Sequence, residues 1–209
     1  MDEDLAIIAK NTRREEIKNF FIKHKKKIYF LTSLILLTVF STFFYLDNVK
    51  KQKAEIADKF IKASINYNLK KKAYYLKEFN EIINTHDSTY APLALFFLID
   101  NKILNSNEEI NHLFDQVLNN ANLEKEIKNL VIYKKALINA DFQSENIMIE
   151  ILKPVINSES FWKPHSLLLL GDYFLFKGEK QKAKDFYSQI LTSQKTNENI
   201  FNQAQQRIL

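Results

Sequence analysis

The chain has 209 residues, of which only two are glycine and three are proline, and it contains no cysteine. Tight β-hairpins and phosphate-binding loops both need glycine, so the composition argues against a β-sandwich, a dinucleotide-binding fold and a P-loop. The lack of cysteine excludes disulfides, thiol nucleophiles and cysteine metal sites.

The net charge of +5 is unevenly spread along the chain. Residues 1–27 carry eight Lys and Arg against five Asp and Glu, and residues 47–72 carry eight against three. Residues 73–209 are mildly acidic, with 14 Lys and Arg against 17 Asp and Glu. Basic segments on both sides of an apolar stretch indicate anionic lipid head groups as partners, whereas an acidic body argues against nucleic acid.

Residues 1–27 read as a short basic tail that leads into the apolar stretch. Ile17, Phe20 and Phe21 are spaced to share one face of a helix. Two interpretations stay open here, an interfacial helix at the membrane and a partly disordered cytoplasmic tail.

Residues 28–46, IYFLTSLILLTVFSTFFYL, contain no charge, glycine or proline. As a helix they would extend about 28 Å, close to the ~30 Å hydrocarbon core of a bilayer. Their only polar groups besides Tyr29 and Tyr45 are hydroxyls, which can bond back to carbonyls of the same helix: Thr32, Ser33, Thr38, Ser41 and Thr42. The alternative is a buried core helix, which usually keeps a polar stripe.

A removable signal peptide has a shorter apolar region and a small-residue cleavage site. Here 27 residues precede the apolar run, and bulky residues, Phe43, Phe44 and Tyr45, stand where such a site would lie. We therefore predict an uncleaved signal anchor. Eight Lys and Arg lie in the 18 residues before it and five in the 18 after it, which favours a cytoplasmic N-terminus and an exported body.

The rest of the chain alternates helical apolar patterns with short breaks, which predicts an all-α body. Asp87 or Ser88 is expected to cap the helix predicted at residues 90–104. Ser106 with Glu109 forms a capping box for the helix predicted at residues 108–119. Pro154 should end or kink the helix that contains it. The predicted helices cover residues 48–68, 73–84, 90–104, 108–119, 123–142, 145–157, 160–177, 179–193 and 198–209.

The first helices of successive pairs begin near residues 53, 88, 123 and 161. A period of about 34 residues of helix–turn–helix is typical of tetratricopeptide repeats, which stack into a solenoid. An irregular helical bundle would also be compatible with the period alone.

The last pair, PHSLLLLGDYFLFKGEKQKAKDFYSQIL at residues 164–191, resembles a tetratricopeptide repeat. In that pattern Gly171 and Ala183 take the small positions where the two helices cross, and Gly178 takes the turn. The aromatic and packing positions are Phe174, Tyr187 and Ile190. The other three pairs lack small residues at matching places, so their repeat status depends on length and period.

The whole arrangement resembles the bacterial YfgM-type proteins, in the stretches REEIKNFFIKHKKK, STYAPLALFFL and LLLLGDYFLFKGEKQKAKDFY. On this resemblance the chain divides into a basic cytoplasmic tail (1–27), a signal anchor (28–46) and a repeat domain in the periplasm (47–209). The resemblance implies an inner-membrane protein that assists the Sec translocon, SecYEG, and periplasmic chaperones. A scaffold for another envelope assembly system, in cell-wall or outer-membrane assembly, is the alternative.

No pattern in the sequence indicates catalysis, a metal or a cofactor, so we expect a binding protein and not an enzyme. His24, His86 and His112 lack paired-ligand spacing, as does His165. The tetratricopeptide pattern implies a partner groove on the first helix of the last repeat, formed by His165, Leu168, Asp172, Leu175 and Phe176. The terminal helix, through Ile200, Phe201 and Ile208, is the alternative occupant of this groove.

Overall fold

In the computed structural model the backbone is described for residues 2–193 and 197–208, and side chains for residues 14–16, 18–193 and 197–208. Of the predicted face of the tail, Ile17 lies outside the described side chains, whereas Phe20 and Phe21 are described and exposed. Leu209, the last residue of the predicted terminal helix, also lies outside the described residues. Every regular element within the described ranges is helical, which confirms the all-α prediction. The helices are α1 (Asp2–Ile65), α2 (Lys72–Asn84), α3 (Tyr90–Asp100), α4 (Asn107–Asn120), α5 (Lys125–Asn139), α6 (Glu145–Ile156), α7 (Lys163–Phe176), α8 (Lys180–Leu191) and α9 (Glu198–Ile208), with a 3₁₀ turn at Leu69–Lys71.

Helix α1 is 64 residues long and joins three segments that the sequence predicted separately, the tail, the span and the helix after it. Since no glycine or proline occurs before Pro92, nothing in the sequence interrupts this helix. The chain nevertheless divides into two compact units, Met1–Ala54 and Glu55–Leu209, and the boundary between them falls within α1.

The apolar stretch within α1 is exposed along its length. Among the described helices α1 is the one that is long and apolar enough to cross a membrane, and it lies near the N-terminus. All side chains at residues 29–46 are exposed. Three threonine hydroxyls bond back to helix carbonyls as predicted, Thr32 to Tyr29 (3.0 Å), Thr38 to Ile35 (2.7 Å) and Thr42 to Val39 (2.9 Å).

In the second unit each helix from α2 onward packs against the next along the chain, and α7 also contacts α5 and α9. One apolar core joins the end of α1 to α2–α5, where the ring of Phe60 meets Phe79, Tyr90 and Phe97. A second core joins α5–α9. Helix α5 contributes to both cores through adjacent residues, Val131 to the first and Ile132 to the second.

The predicted caps of α3 and α4 are confirmed. The Asp87 carboxylate accepts hydrogen bonds from the backbone N–H groups of Thr89 (2.8 Å) and Tyr90 (2.7 Å), so Asp87 rather than Ser88 caps α3. Ser106 Oγ accepts from the Glu109 N–H (3.1 Å) at the start of α4. Pro154 lies in the last turn of α6, which ends two residues later.

Helix α3 ends at Asp100 rather than at residue 104 because Lys102 adopts a positive φ of 52°. This residue closes the helix as glycine usually does: its N–H donates to the Ile99 carbonyl (2.9 Å), and the Ile103 N–H donates to Leu98 (2.8 Å). Gly178 ends α7 in the same way, with φ 82°.

Lys102→Gly is therefore expected to stabilise the protein. A side chain in the left-handed region costs about 1 kcal/mol, which the substitution removes. Chemical denaturation monitored by circular dichroism should show a gain of roughly 0.5–1 kcal/mol. Lys102→Ala is the control and should show no such gain, whereas Gly178→Ala should lose a similar amount. A Lys102→Gly variant no more stable than Lys102→Ala would contradict the assignment.

Candidate functional site: an aromatic cluster beside Asp172

Four aromatic side chains meet where α5 lies beside the start of α7. Tyr133 stacks on Trp162 with 5.4 Å between ring centroids and 25° between ring planes. The His165 ring lies 5.1 Å from Trp162 and 5.2 Å from Phe161. Phe161 is largely exposed, and the other three are partly buried. The protein thus presents a partly open aromatic surface to solvent, which is common at sites where proteins bind partners.

Polar contacts from α5 fix the loop that carries Phe161 and Trp162. The Glu126 carboxylate accepts hydrogen bonds from Ser160 Oγ (2.8 Å) and the Phe161 N–H (3.1 Å). Lys125 Nζ donates to the Glu159 carbonyl (2.9 Å). These bonds hold the loop against the N-terminal end of α5, so the aromatic rings are positioned before any ligand arrives.

Asp172, further along α7, joins three helices. Its carboxylate accepts a hydrogen bond from the Tyr187 hydroxyl of α8 (2.7 Å) and forms an ion pair with Arg207 Nε of α9 (2.8 Å). Burial raises the pKa of Tyr187, and the bond to Asp172 raises it further. Burial and the same carboxylate also raise the pKa of Tyr133, so both phenols keep their protons at neutral pH.

The raised pKa of Tyr187 predicts a loss of stability in alkaline solution. An unfolded tyrosine ionises near pH 10. The folded protein holds this proton to higher pH, so above about pH 10 the unfolded chain binds fewer protons and stability falls as pH rises. Tyr187→Phe should cost about 1 kcal/mol at pH 7 through the lost hydrogen bond. The free energy of unfolding of this variant, measured by urea titration at several pH values, should then fall less steeply above pH 10 than that of the unsubstituted protein. An equally steep fall in both proteins would contradict this role.

The structure brings only part of the predicted groove to the surface. His165 belongs to the aromatic cluster, Leu175 is exposed, and Phe176 is 86% exposed. Leu168 is only 8% exposed and belongs to the core of α5–α9, which corrects its assignment to an open groove. Asp172 is half-exposed but already paired with Arg207. A sixth side chain, Arg207, therefore enters this surface from α9.

The terminal helix α9 packs against both α7 and α8. It buries Ile200 and Ala204, while Phe201 and Ile208 are half-buried. The predicted alternative, in which this helix covers the groove, therefore applies to Asp172 but not to Leu175 or Phe176, which remain exposed.

The predicted packing residues of the last pair hold α7 and α8 close together. Phe174, Ala183, Tyr187 and Ile190 are buried. A Cβ atom added to Gly171 would lie 2.6 Å from Cδ1 and 2.8 Å from Cζ of Tyr187, too close for any side chain to fit without displacement of the ring.

The preceding pair, α5 and α6, repeats this pattern 35 residues earlier. Ala136 stands 35 residues before Gly171, and it is fully buried. Met148, Leu152 and Val155 stand 35 residues before Ala183, Tyr187 and Ile190, and all are fully buried. The sequence prediction that the earlier pairs lack small residues at matching places holds for this pair at the Ala183 position, where Met148 stands, but not at the Gly171 position, where Ala136 stands.

Sequence reasoning did not single out Tyr133, Phe161, Trp162 or Arg207. The adjacent Phe161 and Trp162 at the start of a helix, which include the only tryptophan, were the available signal. Tyr133 and Arg207 could not be recognised from the sequence, because each contacts a partner that lies about 30 residues away along the chain.

Within the described part of the chain no three His, Asp or Glu side chains cluster closely enough to hold a metal ion. No protein-family model matches the sequence. Neither a curated protein nor a solved structure matches the chain.

Proposed function

We propose that the protein is a membrane-anchored protein–protein interaction module without catalytic activity or cofactor. Residues 28–46 form the single span, the N-terminus is cytoplasmic, and the helical domain lies in the periplasm at the bacterial inner membrane. The observation that carries the proposal is the run of exposed apolar side chains at residues 29–46. Exposure of this apolar surface to water is strongly unfavourable, and a bilayer would cover it.

The helical domain is proposed to be a tetratricopeptide-like solenoid. The 35-residue correspondence between α5–α6 and α7–α8 supports it. So do the contacts of α7 with α5 and α9, because first helices of successive repeats stack on one another in such folds.

The aromatic cluster of Tyr133, Phe161, Trp162 and His165 is the proposed contact for a partner protein. Exposed aromatic rings held in place supply large contact areas at low entropic cost. On the resemblance to YfgM-type proteins, the partners are the Sec translocon and periplasmic chaperones or their clients. Anchoring would raise the effective concentration of the domain at the exit of the channel.

Topology is the first test. Alkaline phosphatase fused after Leu209 should be active, since it works only after export, while a cytoplasmically active reporter at the same site should be silent. The opposite pair of results would place the domain in the cytoplasm and overturn the periplasmic function.

A photo-reactive amino acid at Phe161 then tests the surface in cells. Cross-links to Sec components or periplasmic chaperones are expected from this position, and not from Asn119, an exposed control position on α4. Cross-links from Phe161 to cell-wall or outer-membrane assembly proteins instead would replace the translocon role with the scaffold role.

A further inference from the structure

The two apolar cores of the helical domain meet where α4 packs against α5. Apolar contact across this boundary comes from aliphatic side chains: Val131 and Ile138 of α5 pack with the first core, and Leu118 of α4 packs against both cores. Such side chains can repack in several ways, and cores lose a unique arrangement before they lose stability. Apolar burial alone therefore specifies the position of α4 along α5 only weakly.

Asn111 of α4 and Asn139 of α5 form two reciprocal hydrogen bonds across this boundary, and we call them the amide pair. Asn111 Nδ2 donates to Asn139 Oδ1 (2.9 Å), and Asn139 Nδ2 donates to Asn111 Oδ1 (2.8 Å). Each Nδ2 also donates within its own helix, to the carbonyls of Asn107 (2.9 Å) and Lys135 (2.8 Å). Asn139 is only 1% exposed, so solvent cannot replace a lost partner.

An ion pair one helical turn away has the same register. Asp115, four residues after Asn111, pairs with Lys135, four residues before Asn139 (2.6 Å). Displacement of α4 by one turn, about 5.4 Å, would break both contacts. In one direction it would also set Asp115 opposite Val131, which is fully buried, and an unpaired carboxylate in apolar surroundings is costly. The polar contacts between α4 and α5 are therefore compatible with the observed register and not with its neighbours.

We propose that the amide pair selects one position of α4 along α5 and so fixes the first core relative to the second. A satisfied buried amide contributes little net free energy, because it would bond to water in the unfolded chain, whereas an unsatisfied one is costly. The pair therefore acts mainly against wrong arrangements, as a single buried asparagine does in coiled coils. This role does not depend on the function proposed above.

The test uses the full chain in detergent micelles, whose lack of cysteine allows two spin labels to be introduced. Labels at Asn119→Cys on α4 and Lys184→Cys on α8 report the distance between the two cores by pulsed electron paramagnetic resonance. Labels at Glu150→Cys on α6 and Lys184→Cys are the control, since both helices belong to the second core. All three positions are exposed.

The amide pair is then replaced by apolar side chains of similar size, Asn111→Leu with Asn139→Leu. We expect this variant to stay helical with a urea midpoint no lower than that of the natural chain, because apolar replacement of a buried polar pair is often neutral or stabilising. Its distances between positions 119 and 184 should broaden or split by up to about 5 Å, one helical turn. The control distances should not change. Asn139→Leu alone leaves Asn111 unpaired and should lower the urea midpoint.

A stable double variant whose distances between positions 119 and 184 stay as narrow as in the natural chain would overturn the proposal. Failure to fold, both of this variant and of the smaller Asn111→Ala with Asn139→Leu, would overturn it as well, because the pair would then be required for stability and not for register. Equal broadening of the control distances would also contradict it, since the second core itself would have loosened.

Discussion

Gly171→Leu is expected to unfold the protein at a markedly lower temperature than the natural sequence. Even a Cβ atom at this position would overlap the Tyr187 ring, with Cδ1 at 2.6 Å and Cε1 closer still, so α7 and α8 must separate or Tyr187 must leave its pocket. Insertion of bulk into a packed core costs 1–3 kcal/mol or more, and we expect about 3 kcal/mol here. For a chain of this size that corresponds to roughly 6–12 °C in the melting temperature measured by circular dichroism.

The matched control is Ala73→Leu, which adds a large side chain at an exposed position of α2 and should change stability by less than about 0.5 kcal/mol. The double variant Gly171→Ala with Tyr187→Leu tests the contact itself. Its loss should be smaller than the sum of the two single losses, because the smaller side chain at position 187 makes room for the new methyl group. Strict additivity, or unchanged melting of Gly171→Leu, would show that the two helices are not in close contact there.

Deletion of residues 1–46 is expected to abolish stable membrane association. It removes every exposed side chain of the apolar stretch at residues 29–46 and leaves the second compact unit, Glu55–Leu209, whole. A transmembrane helix is held almost irreversibly, whereas surface contacts are reversible and weakened by salt. The truncated protein should therefore appear in the soluble fraction after extraction with alkaline carbonate, with a helical circular dichroism spectrum.

Deletion of residues 2–27 alone is the control, since it removes the basic tail and keeps the span. This variant should remain in the membrane after the same extraction. Carbonate-resistant binding of the protein that lacks residues 1–46 would refute a single anchor.

The sequence was a good guide wherever the determining interactions are local. Asp87 and Ser106 cap their helices through atoms two or three residues away, so their roles are visible in a short window of sequence. Lys102 was missed because a lysine gives no signal for a positive φ, which glycine usually adopts. The turn there depends on how Ile103 packs, and Ile103 is fully buried.

The candidate site was only partly predictable. His165 and Asp172 were found through the repeat pattern, but that pattern gives a helix face and not the elements that cover it. Leu168 is buried because the second core lies against it, and Asp172 is paired because Arg207 arrives from α9. Both outcomes depend on packing between segments far apart in the chain.

The sequence by itself determined that this protein is helical and that residues 28–46 form an apolar helix, because composition and local hydrogen bonding decide both. The tertiary structure alone decided which side chains meet. Tyr133 reaches Trp162 and His165, and Arg207 reaches Asp172, only after helices that are distant in sequence have packed. The hydrophobic effect is not directional, so many pairings of helices would bury the same set of apolar residues. The shapes of the packed side chains, such as Tyr187 over Gly171, select one of these pairings.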